Sequence, residues 1–163
     1  MTATRLLVTS RYINQLMQFD AVGDELRIVH LSDYIKPRHA VESPTGTFIV
    51  SHKSTQLEDL CQVSEFNAEG QVLRQFSGSR RLPLGYAPHV AVDSQRNIIV
   101  ADLDNRRILL LDAQLALRRV IVEGHQLNYN EPRRLCYVEQ SGQLLVGLGG
   151  SSGVLVFHLL QGR

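Results

Sequence analysis

An internal repeat constrains this chain more than any other feature of its sequence. The clearest unit runs Ala87-Pro88-His89-Val90-Ala91-Val92-Asp93, then Asn97 to Asp102, Arg107 to Asp112 and Leu117 to Ile121: four short β-rich runs separated by turns. The same order precedes it at Pro37 to Glu42, Thr47 to Ser51, Cys61 to Asn67 and Val72 to Phe76. It follows it at Arg134 to Glu139, Gln143 to Gly147 and Val154 to His158. Leu6 to Ser10, Gln15 to Asp20 and Leu26 to His30 fit the second, third and fourth runs of a further unit. Phe19, Phe66, Leu111 and Phe157 each end a third run, at steps of about 47, 45 and 46 residues. Val8, Val50, Val100 and Val146 mark the second runs, and Val50, Val100 and Val146, with those four residues, are expected to be buried at equivalent positions.

Runs of about five residues, bounded by turn pairs such as Thr45-Gly46, Glu69-Gly70 and Ser141-Gly142, are too short for the amphipathic helices of a helical solenoid. A period of about 40 to 50 residues with four strands per unit is the signature of a β-propeller blade. The expected fold is all-β, about 3.5 four-stranded antiparallel blades that form part of a propeller of about six. The chain reads as a single partial propeller over 1–163, with blade segments at about 4–33, 34–80, 81–124 and 125–163. Because the first unit opens inside a blade, the chain reads as a piece of a longer propeller, and open blade edges would invite self-association.

Pro88-His89-Val90-Ala91-Val92-Asp93, Ile99-Val100-Ala101-Asp102 and Asn105-Arg106-Arg107-Ile108 resemble the NHL repeat of the carboxy-terminal propellers of TRIM-type ubiquitin ligases. Ser51-His52 and Gly147-Leu148 replace its Ala-Asp pair in the neighbouring units. The resemblance implies a recognition module, in a longer relative the substrate-recruiting part of a ligase, with Asp102 and Arg107 as partners that tie blades and loops together.

Hydrophobic residues make up 44% of the chain and charged residues 20%, as in an ordered globular domain. No apolar run approaches the roughly 20 residues of a membrane-spanning helix, so no membrane role is expected. Cys61 and Cys136 stand alone, without metal-ligand spacing, and read as buried free thiols of a cytoplasmic protein.

No nucleophile elbow, phosphate-binding loop or zinc-protease helix is present, so a non-catalytic module without cofactor is expected. The glycines from Gly147 to Gly153 read as a hairpin loop. His39 and His89 both follow a blade-opening proline, but aligning Ala40-Val41-Glu42 with Ala91-Val92-Asp93 sets His89 opposite Arg38, which argues against a metal-binding layer. A metal-dependent lyase or hydrolase in the propeller channel stays as the rival reading, and a self-associating structural module as a third.

Net charge is only +1, yet the charges sort by connection. Links from fourth to first strands and from second to third strands share one rim. They carry Arg38, Arg80, Arg81, Arg106, Arg133 and Arg134 with Tyr86, His89 and Tyr129. The opposite rim holds Asp20, Asp93, Asp112 and Glu139. A basic rim interleaved with aromatics suits single-stranded RNA or an acidic protein segment. The competing explanation is that the acidic residues serve tight hairpins.

Overall fold

The computed structural model describes residues 5–58 and 60–159. Its regular elements are strands throughout, and they fall into two compact units, Met1–Ser77 and Gly78–Arg163. No helix among the described residues is long and apolar enough to cross a membrane.

The first unit holds two antiparallel sheets. β1 (Leu6–Ser10), β2 (Ile13–Phe19) and β3 (Glu25–His30) form the first in chain order. β4 (Ile35–Glu42), β5 (Phe48–Ser54), β6 (Leu60–Phe66) and β7 (Val72–Phe76) form the second. Alternation along each strand gives every sheet two faces. Leu7, Leu16 and Val29 on one face of the first sheet pack against Ala40, Phe48, Val50 and Phe66 of the second, with Leu31 and Ile35 in the same core. Gln18 donates to Glu42 across this junction at 2.6 Å.

The second unit repeats the arrangement. β8 (His89–Val92), β9 (Ile98–Asp102), β10 (Arg107–Leu111) and β11 (Leu117–Val122) form the third sheet, and β12 (Glu131–Val138), β13 (Gln143–Gly149) and β14 (Val154–His158) the fourth. Ile99, Ala101, Ile108 and Val122 of the third sheet pack against Leu135, Leu144 and Val146 of the fourth.

Register gives the repeat its structural meaning. Val50 pairs with Ala40, Val100 with Val90 and Val146 with Leu135. All three valines are fully buried, as are Phe66 and Leu111. Phe19 and Phe157 are only half-buried, against expectation, as is the run marker Val8. Phe19 lies on the face of the first sheet turned away from its core, and β14, which carries Phe157, has no fourth strand beside it among the described residues. The cysteines also depart from expectation: Cys61 is half-buried and Cys136 exposed. Cys136 pairs with Leu145 on the face of the fourth sheet opposite the one that carries Leu135 and Val146.

The hairpins repeat a single device. Asp20, Asn67, Asp93 and Asp112 each use their side-chain Oδ1 to accept backbone N–H groups two and four residues on, at 2.8 to 3.1 Å. Ser43 does the same through its hydroxyl. A short polar side chain thus fills the turn's unmet donors.

Candidate functional site

In the second unit, antiparallel order places the segment 78–88 that enters β8, the β9–β10 turn, the 123–130 connection and the β13–β14 turn at one end of the sheets. Hydrogen bonds join the first two. Asp102, fully buried, accepts from Arg107 Nε (2.7 Å), Asn105 Nδ2 (2.9 Å) and the Gly85 N–H (3.0 Å). Asn105 and Arg107 both donate to the Pro83 carbonyl, at 3.2 and 2.9 Å. The Tyr86 N–H donates to Asp104, and the Leu103 N–H to the Tyr86 carbonyl, each at 2.8 Å. Gly85 is required by closeness alone: a Cβ there would stand 2.8 Å from both Asp102 Oδ1 and Asp104 Cβ.

This bracing holds Arg80 and Arg81 on one loop and Arg106, at φ 48°, on the next. All three are exposed, and their side chains have no hydrogen-bond or ion-pair partner among the described residues. The 123–130 connection lies beside Arg106. A Cβ placed on Gly124 would be 3.7 Å from the Tyr129 ring and 3.9 Å from Arg106 Cβ. Tyr129 is 69% exposed at φ 58°, held by its N–H to the Gly124 carbonyl at 2.8 Å. The Arg106 Cβ and the open Tyr129 ring therefore both border Gly124. Asp104 and Glu123 are the exposed carboxylates on the same connections.

Other residues of the expected rim are committed elsewhere. Arg133 pairs with Glu131 at 2.9 Å, and Arg134 donates to the Arg133 carbonyl at 3.0 Å. Tyr86 is a half-buried loop anchor. His89 accepts the Leu135 N–H at 3.3 Å, linking the third sheet to the fourth. Arg38 belongs to the first unit, where it is the extra residue of a bulge between Pro37 and His39; Arg133 is the extra residue of the matching bulge in β12. Asp102 and Arg107 bond within one sheet and to the segment that enters it, so their tie is not one between blades.

The bulge also corrects the histidine alignment. His39 pairs with Ser51 and His89 with Ala101, each next to the marker valine, so the two histidines hold equivalent places in their own sheets, with Arg134 at that place in β12. The bulged Arg38 shifted the linear comparison by one residue. Among the described residues, no group of three or more His, Cys, Asp or Glu is placed to hold a metal ion. Gly147 and Gly149 lie inside β13 and not in a loop.

The acidic end of the sheets is explained by local chemistry. Asp93 and Asp112 cap their own turns, and Glu139 accepts the Ser94 N–H at 3.0 Å and its hydroxyl. Asp102, Asn105 and Arg107 lie in one short run that is legible in the sequence, whereas the Gly85 and Gly124 approaches are not, because they depend on loops that meet only in the fold.

No family model and no curated protein matches the chain. Solved structures do. A protein of unknown function from Bacteroides caccae is 15% identical, with 98% of this chain and 54% of that one covered and a TM-score of 0.65. A catalytically inactive variant of virginiamycin B lyase from Staphylococcus aureus, solved with quinupristin, is 10% identical over 88% of this chain and 45% of its own, with a TM-score of 0.63. Dihydro-heme d1 dehydrogenase is 15% identical over 98% and 33%, with a TM-score of 0.61. The chain spans about half the length of the first two. Together with the four sheets, these likenesses define a partial run of β-propeller blades.

They also overturn the expectation of a non-catalytic module. The same architecture serves a lyase and a dehydrogenase, so neither the fold nor the lack of a linear motif speaks against catalysis.

Proposed function

We propose that the second unit binds single-stranded RNA through Arg80, Arg81, Arg106 and Tyr129. The observation that carries this reading is the set of three exposed arginines without acidic partners among the described residues, two of them on the loop that Asn105 and Arg107 brace at Pro83 and the third across Gly124 from the open ring of Tyr129. Guanidinium groups on braced loops engage phosphates, and an exposed ring can stack on a base whatever its identity. The resemblance of the Pro88 to Asp112 unit to NHL repeats supports the same reading, and extends it to a substrate-recruiting role in a ligase of the TRIM type.

Fluorescence anisotropy with a labelled single-stranded oligonucleotide tests it. The parent binds, and an Arg80→Ala/Arg81→Ala/Arg106→Ala variant that stays folded does not. Equal binding by both, or preference for an acidic peptide over the oligonucleotide, defeats the reading.

A further inference from the structure

The junction inside each unit follows one rule. The face of a sheet that carries the marker valine receives the opposite face of the sheet before it: Val50 with Phe48 and Phe66 receives Leu16 and Val29, and Val146 with Leu144 and Leu135 receives Ile99, Ala101 and Ile108. Two sheet faces, one of each type, carry exposed apolar residues. On the first sheet, Leu6, Val8, Met17, Phe19 and Ile28 form the marker-valine face. Leu6 is 60% exposed there, whereas Phe48, its equivalent in the second sheet, is 0% exposed. On the fourth sheet, Cys136, Leu145, Val154 and Val156 form the opposite face, and Val156 is 51% exposed.

We propose that a second copy of this chain docks the marker-valine face of its first sheet onto the uncovered face of the fourth sheet. These exposed faces are of the two types that pack on each other inside each unit, so the contact repeats a geometry the chain already uses. It is also directional, since a face of one type meets only the other type. The chain spans 54% and 45% of two similar propeller chains, so two copies together match about the length of one of them. Apolar faces rimmed by polar residues mark such contacts on otherwise soluble chains.

Sedimentation velocity at tens of micromolar tests the proposal, using Leu6→Asp and Val156→Asp, two positions exposed enough to accept a charge without loss of the fold. The parent sediments at twice 18.3 kDa. Each variant alone sediments at half the parent's mass. An equimolar mixture of the two regains the larger species, because the intact first-sheet face of one meets the intact fourth-sheet face of the other. Circular dichroism and thermal melts like the parent's show that the variants are folded. A monomeric parent overturns the proposal, whether the natural occupant is a further stretch of polypeptide or another protein. So does a variant that associates like the parent, or a mixture that stays monomeric.

Discussion

Asp102 of β9 and His52 of β5 hold the same place in two sheets, two residues beyond Val100 and Val50, yet one is a charged anchor and the other a neutral one. Asp102 is met by Arg107, Asn105 and the Gly85 amide. His52 is met at Nε2 by the Ser64 hydroxyl at 2.7 Å, with the Phe66 ring edge-on at 6.0 Å.

The charged anchor is expected to matter for stability. Asp102→Ala leaves the largely buried Arg107 guanidinium without its carboxylate and should cost about 3 to 5 kcal/mol. Urea unfolding followed by circular dichroism checks this, and a change below about 1 kcal/mol would refute the assigned role.

The neutral anchor makes stability depend on pH. Burial pushes the His52 pKa down to about 4, opposed in part by a Lys53 backbone hydrogen bond. Its folded value therefore lies below the ordinary value of 6.5, so the unfolded chain takes up the proton first. This contribution is complete above about pH 6.5 and is lost as pH falls towards 4, by about 3 kcal/mol in all. Unfolding midpoints measured at pH 7 and pH 4.5 should differ, and the difference should shrink in His52→Gln. An unchanged pH profile in that variant would assign the loss to other groups.

Position in the repeat should decide the cost of a charge. Val100→Asp enters a fully buried site and should destabilise by several kcal/mol, whereas Val8→Asp, at the equivalent but half-buried place in β1, should cost far less. Equal losses in thermal melts would contradict the register drawn here.

The turn caps give a smaller, local effect. Asp112→Ala removes the acceptor for the Gln114 and Ala116 amides and should cost about 1 kcal/mol, read from the denaturation midpoint. No shift would mean that water serves these amides equally well.

The blades were legible in the sequence because period and alternation are local: Val50, Val100 and Val146 announce the strands and their buried face. The exceptions are equally physical. Phe19 and Phe157 carry the same pattern as Phe66, but burial needs a neighbouring sheet or strand that the pattern of one segment cannot report. His39 and His89 were misaligned because a bulge adds a residue without changing composition. The basic rim was half legible. Arginine content showed where cations gather, but whether Arg133 meets Glu131, or Arg106 stands free beside Tyr129, depends on loop geometry.

The central functional claim is tested most directly by the salt dependence of oligonucleotide affinity. For the parent, the logarithm of the association constant should fall linearly with the logarithm of salt concentration. Removing Arg80, Arg81 and Arg106 together should reduce that slope by about 2, as three phosphate contacts are lost. Tyr129→Ala should weaken binding by about 1 to 3 kcal/mol and leave the slope unchanged. A slope that stays the same in the folded triple variant would contradict the account.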